Sequence, residues 1–279
     1  AEVFLEDLDI QFVKTLTLSD GDRLDTLYIV GNGGTVSIEP GATLAANGGG
    51  IICLDKEGLS TDLLSVVVKG TGEKRFFGLR FPFAESLHLK QCEFSDLRLM
   101  PTPPLETLKT IDSREKFLAH FRARKPKGLA TAVEALRVYA VDTAFKGLSY
   151  GITEEFYWHD SEGGRKWTCV PQICAVNSFE VMFKNCRVES ANFAVGGDLS
   201  FSAMFLANGL PEDLVISENA SKAIRELMRG PAGKHFSDPG QQLKKPVAVS
   251  LNTEYRDCYL RYFCDRFIAA ENSSFSGIY

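Results

Sequence analysis

An all-β solenoid is the fold class this sequence predicts, and two observations carry that expectation. A short unit recurs with constant internal spacing: Val181-Met182-Phe183-Lys184-Asn185-Cys186-Arg187-Val188, Leu89-Lys90-Gln91-Cys92-Glu93-Phe94 and Tyr255-Arg256-Asp257-Cys258-Tyr259-Leu260. Two looser copies, Ala140-Val141-Asp142-Thr143-Ala144-Phe145 and Ala269-Ala270-Glu271-Asn272-Ser273-Ser274-Phe275, keep the neighbours of the cysteine without it. The common pattern is Asn, Asp or Gln, then Cys, Ser or Thr, then any residue, then an apolar one. The second observation is punctuation: short alternating apolar and polar runs are interrupted by Gly, Asn and Pro every few residues, the signature of β-strands and tight turns. A repeat of this kind has physical sense when successive turns of chain stack in parallel, because equivalent positions then form columns roughly 4.8 Å apart. Small Cys, Ser or Thr fills a narrow interior, and the preceding Asn or Asp satisfies the bend and tolerates unusual φ/ψ. Cys92, Cys186 and Cys258 are accordingly expected to be buried and reduced in one interior column.

These units resemble the turns of the right-handed parallel β-helix superfamily, the pectate-lyase-like fold, whose turns often read apolar-x-x-Asn-Cys/Ser-x-Phe before a Gly-bearing bend. The resemblance covers about two thirds of the chain and is one of turn pattern only. It implies a single-stranded right-handed parallel β-helix over residues 1–279, with an N-terminal cap over 1–20 and two helical or loop inserts, 100–135 and 206–245. An irregular β-sandwich is the alternative.

Taken in order, residues 1–20 read as a short capping helix followed by a strand, as expected where the first turn of a stack would otherwise expose its core. Strands follow at 24–30 and 35–45, with Pro40-Gly41 as a turn, and the glycine runs at 33–34 and 48–50 read as tight corners because neither opens a helix that could receive an anion. Leu64–Gly70, Phe76–Phe81 and Leu87–Phe94 are successive strand segments, with His88 on a solvent-facing position. The pattern breaks at Met100-Pro101-Thr102-Pro103-Pro104. Phe117, Leu118 and Phe121 then recur at helical spacing, capped by Ser113 or Asp112, and Arg114, Lys116, Arg122, Arg124, Lys125 and Lys127 form a locally basic stretch read as a solvated face or a site for an acidic partner or anionic sugar. A second break at Asn208-Gly209-Leu210-Pro211 precedes a helix over 217–230 that Gly230 and Pro231 end. Each insert follows a repeat copy by a similar distance, so both are expected to leave the stack near one corner and to be peripheral to it. The last turn carries no polar cap, and either another subunit or a continuation of the chain is expected to cover it.

Composition bounds the function. A net charge of −5 argues against a nucleic-acid surface, and no apolar run reaches the ~20 residues that cross a bilayer. Seven cysteines, an odd number, favour a reducing compartment, cytoplasmic or inside a target cell, over the extracellular space. No cofactor is expected, and no metal: Cys169-x4-Cys174 with His159, and Cys258-x5-Cys264, do not have the spacing of zinc ligands.

The densest set of chemically useful groups is the stretch 154–167. Tyr157, Trp158 and Trp167 are the candidate ligand-binding platform, since aromatic faces suit sugar stacking. His159, Asp160 and Arg165 are the candidate catalytic groups, a titratable set that suits acid/base work. Were the chain an enzyme, the resemblance would imply a polysaccharide lyase or glycoside hydrolase. The polygalacturonase branch carries an Asn-Thr-Asp turn that Asn252-Thr253-Glu254 only approximates, and the pectate-lyase branch carries calcium-binding aspartates for which Asp142, Asp257 and Asp265 are the available positions. The residues leave open whether the chain is an enzyme. Two functions stand: a scaffold or effector-like module that binds a protein or other macromolecule through its inserts, or a glycan-binding or glycan-cleaving protein that uses the groove beside 156–167.

Overall fold

The computed structural model describes residues 3–60, 62–103, 105–124, 130–151, 157–159, 166–168, 173–190, 217–229, 247–258 and 267–277. The chain is mostly β, and among the described residues every ladder but one is parallel. Three long sheets and one short one are visited in rotation. The circuit that begins at Leu79–Arg80 in the first sheet passes to Leu87–Lys90 in the second, Glu93–Ser95 in the third and Arg98–Leu99 in the fourth. The next circuit repeats the order with Ala130–Glu134, Arg137–Val141, Ala144–Lys146 and Ser149–Tyr150, each paired in register with its predecessor. Ile173–Asn177, Glu180–Lys184 and Arg187–Glu189 continue the stack, and Val247–Leu251 with Glu254–Arg256, then Phe267–Glu271 with Ser274–Ser276, extend the second and third sheets.

The register explains why these residues recur. Between the second and third sheets the chain turns a corner at Ser65, Gln91, Asp142, Asn185, Asn252 and Asn272, all with φ between 47° and 55°. That left-handed conformation is the one Asn and Asp tolerate best among residues with a Cβ. Their side chains also bond along the stack: Asn185 Nδ2 donates to Asp142 (3.1 Å) and Asn252 Nδ2 to Asn185 (3.2 Å). One residue on, the chain points inward with Val66, Cys92, Thr143, Cys186, Thr253 and Ser273. Here the backbone N–H of Cys92 donates to Thr143 Oγ1, that of Cys186 to Thr253 Oγ1 and that of Thr253 to Ser273 Oγ, at 3.2–3.4 Å. Two further on lies an apolar row, in which Phe94 stacks on Phe145 at 5.0 Å and Tyr255 on Phe275 at 4.7 Å. Phe275, on the last strand of that row, is 45% exposed.

Cys92, Cys186 and Cys258 are all buried thiols, yet they do not share one column. Thr253 occupies the Cys186 position in the next circuit, whereas Cys258 falls past the third sheet, in the row of Leu97 and Leu148. Thr and Cys fill nearly the same space, so the unit that belongs to the column is Leu251-Asn252-Thr253-Glu254-Tyr255.

A second apolar cluster lies outside the three-sheet interior. Leu5, Leu8 and Ile10, the outward residues Ile29, Ile52 and Phe77, and Leu108, Ile111, Phe117, Leu118 and Phe121 pack together. The helix Val3–Glu6 and the strand Asp9–Leu18 form the expected N-terminal segment, and Arg114 binds it by donating to the carbonyls of Leu5, Glu6 and Leu8. Ser113 caps the helix Arg114–Arg124 by accepting the Lys116 N–H. The span expected as one insert, 100–135, is therefore two things. Its helices, Leu105–Leu108 and Arg114–Arg124, bury apolar surface against the first sheet, and its last part, Ala130–Glu134, is a fully buried strand of that sheet. Ala-Thr-Ala-Val is too short to show its period beside a helix. No described helix is long and apolar enough to cross a membrane.

Candidate binding surface

The described part of the stretch 154–167 and its neighbour Thr168 is an antiparallel ribbon: Tyr157–His159 pairs with Lys166–Thr168, setting Trp158 opposite Trp167 and His159 opposite Lys166. Tyr157, Trp158, His159 and Trp167 thus share one two-stranded element, while Asp160 and Arg165 lie outside the described residues. The element sits in the connection that leaves the fourth sheet at Ser149–Tyr150 and enters the first at Ile173–Asn177. One circuit earlier the same connection, from Arg98–Leu99 to Ala130–Glu134, carries the helices 105–108 and 114–124. One circuit later the chain leaves the third sheet at Arg187–Glu189 and carries the helix Glu218–Arg229 before it returns to the second sheet at Val247. Three insertions on successive circuits therefore interrupt the passage back toward the first and second sheets.

Ionic groups that sequence reading passed over fix the base of these insertions. Arg80, Glu134 and Asn177 are the last residues of consecutive first-sheet strands and are paired in register. All three are buried; Arg80 Nε lies 3.5 Å from Glu134 Oε2, and Asn177 Nδ2 donates to Glu134 Oε1 at 3.1 Å. Arg80 also donates to Thr102 at the start of the first insertion. Burial pushes the Glu134 carboxyl above the usual carboxylate range, opposed by the Arg80 charge and the Asn177 amide, and burial likewise lowers Arg80.

A second hub lies on the second sheet. Glu180, fully buried, accepts the N–H (2.8 Å) and hydroxyl (2.6 Å) of Ser217 and the hydroxyl of Tyr139 (2.7 Å), with Arg137 Nε 3.6 Å away. Ser217 caps the helix Glu218–Arg229 through Ala220, so Glu180 pins the start of that helix to the sheet. Desolvation, and the Glu180 carboxylate it donates to, push the Tyr139 hydroxyl up to about 12. Both hubs leave a sequence trace upstream of the corner unit: Val133-Glu134-Ala135-Leu136-Arg137-Val138 and Val176-Asn177-Ser178-Phe179-Glu180-Val181 share the order apolar, polar, small, apolar, charged, apolar.

Among the expected candidates, His88 is exposed on the second sheet, with its ring 5.0 Å from that of Tyr139. Asp142 and Asp257 lie at different corners, not in one column, and Asp265 lies outside the described residues. No group of three or more His, Cys, Asp or Glu that could hold a metal ion occurs among the described residues. No family model, curated protein or solved structure matches the chain.

Proposed function

We propose that the chain is a right-handed parallel β-helix of the pectate-lyase-like kind that serves as a rigid scaffold and binds another protein or macromolecule through its insertions. The fixed order in which successive circuits visit the same sheets supports the helical path, and parallel strands joined by a crossover are right-handed in nearly all known cases. The observation that carries the binding reading is the placement of the insertions on successive circuits at one side of the rotation, since loops displayed by a rigid frame are where binding residues concentrate. The test is photo-crosslinking from single sites in an extract of the native cells. A crosslinker at Lys116 or Trp158 is expected to give one discrete adduct that a crosslinker at Lys69, exposed on the third sheet, does not. Equal labelling from all three positions, or from Lys69 alone, would overturn the reading.

A second reading is favoured by the register that sets Trp158 opposite Trp167. A ribbon that sets Trp158 opposite Trp167, in a stretch of sequence that also holds His159, Asp160 and Arg165, suits a glycan, as a binding surface or as the site of a polysaccharide lyase or glycoside hydrolase. An array of acidic and neutral polysaccharides, read for retention and for chain cleavage, tests it. Loss of retention in Trp158→Ala at unchanged melting temperature supports this reading, and no retention by the parent protein ends it.

A further inference from the structure

The outer face of the second sheet is one continuous surface of six strands, and its two ends are treated differently. At the downstream end the helix Glu218–Arg229 packs on Val247–Leu251 and Phe267–Glu271, turning in Ala220 and Ile224, both buried. Its effect is visible along one outward row. Val249 is fully buried, whereas Met182 and Tyr139, its predecessors in register, are half-exposed and His88 is exposed. The next outward row brings Leu64, 41% exposed, then Lys90, Val141 and Lys184. Val141, Met182 and the Tyr139 ring thus form an apolar patch, with Lys90 and Lys184 on either side of Val141 in its row and Leu64 beyond Lys90. The carboxylates that border it are already engaged: Glu85 by Arg137, Glu180 by Ser217 and Tyr139, and Asp142 by Asn185.

We propose that this upstream half docks an amphipathic helix of a partner protein, laid beside the chain's own helix, with acidic residues set against Lys90 and Lys184. Two arguments fix the occupant. The rows are continuous with a helix-on-sheet contact that the same face already makes, so a second helix meets the same surface shape. The open half spans four strands, about 19 Å at ~4.8 Å per strand, the length of about 12 helical residues. The lysines supply the charge that distinguishes this half from the covered one, and Coulomb attraction there selects a partner of opposite sign. The site lies on the sheet face itself, bordered by the helix Glu218–Arg229 of the third insertion, and its test varies only residues of the sheet.

The probe is a helix-stapled peptide with the sequence of residues 217–229 carrying Lys222→Glu, Arg225→Glu and Arg229→Glu, followed by fluorescence anisotropy against the full chain. Saturable binding is expected, weakened about tenfold or more in the Lys90→Glu/Lys184→Glu variant while the melting temperature is unchanged, and weakened similarly when the apolar positions of the peptide are scrambled at constant charge. Equal binding of the scrambled peptide, equal binding by the lysine variant, or no saturable binding overturns the proposal. Polygalacturonate and vesicles containing phosphatidylserine are run in parallel. Retention of either that depends on the two lysines, with no peptide binding, assigns the patch to a polyanion instead and also overturns it.

Discussion

The corner column and the outer row of the first sheet are built on the same parallel register, yet they obey different rules. In the column, Cys92, Thr143, Cys186, Thr253 and Ser273 stay small through five circuits, and all but Ser273, which is partly exposed, are buried. The outer row of the first sheet reads Phe12, Ile29, Ile52, Arg80, Glu134, Asn177, apolar at one end and ionic at the other. An interior position sees only the circuits above and below it, so its chemistry repeats. An outer position sees whatever covers it, and the cover changes from the N-terminal segment and helices to the roots of the insertions.

The largest way to break that contrast is at Glu134. Its side chain is the buried counter-charge of Arg80, and removing one partner of a buried pair leaves the other charge without compensation, a cost of ~3–5 kcal/mol. Glu134→Ala is expected to lose stability of that order by urea denaturation, and Arg80→Met combined with Glu134→Leu to recover most of it. Recovery would show that the row needs only to be self-consistent. A loss of less than about 1 kcal/mol in the single variant would mean that the pair is solvated in solution and that the ionic row is no different from a surface one.

This contrast also marks how far the sequence could be read. The column was legible because its pattern is local: a corner residue with φ > 0, a small inward residue and an apolar one two further on. Its circuits are irregular in length, with equivalent residues 26, 51, 43, 67 and 20 apart, so alignment rested on the cysteines, and Cys258 was placed in the column that Thr253 fills. The outer row was not legible. Alternation assigns Arg80 and Glu134 to solvent, and nothing near either residue says that this face is covered. The same blindness made the helices 105–108 and 114–124 look peripheral, because the Phe77 and Ile52 they cover belong to other circuits. At the candidate site, the composition of 157–167 was plain, but its pairing as a ribbon required matching Tyr157-Trp158-His159 with Lys166-Trp167-Thr168 across the intervening polar sequence 160–165. Glu180 and Ser217 are 37 residues apart, with no local signal that joins them.

A middle-sized effect is expected at the second corner of each circuit, where Asp96, Gly147, Ser190, Asp257 and Gly277 all have φ between 52° and 61°. A Cβ on Gly147 would stand 2.9 Å from Asp96 Oδ1, and one on Gly277 would stand closer still to Asp257. Glycine therefore stands where the preceding circuit places an aspartate, whose carboxylate lies over the next corner and would have to move for a Cβ. Gly147→Ala is expected to cost about 1–2 kcal/mol, and Asp96→Gly in the same chain to return part of it. Additive losses in the double variant would show that the corners do not sense each other, and that the rule of repeated neighbours stops at the interior.

The smallest effect tests the column itself. If an interior position is defined only by its neighbours in the stack, the residue that serves one circuit should serve another. Cys186→Thr copies Thr143 and Thr253, keeps the volume nearly constant and offers a hydroxyl where the thiol now donates to Ala140 O and Lys184 O, both at 3.3 Å. The expected change at pH 7 is under about 1 kcal/mol, whereas Cys186→Leu overpacks the corner and should cost about 1–3 kcal/mol. Alkali separates the two readings of the thiol. Burial pushes Cys186 up from 9.0 to about 11, and a group with a raised folded pKa gives stability that is full below its unfolded pKa and lost as pH climbs through the folded one. The parent protein should therefore lose stability between pH 9 and 11 in a measured pH series, and Cys186→Thr should lose less over the same interval. Identical alkaline profiles would place Cys186 in contact with solvent, outside the column, and the equivalence of circuits would fail at the position where the sequence displays it best.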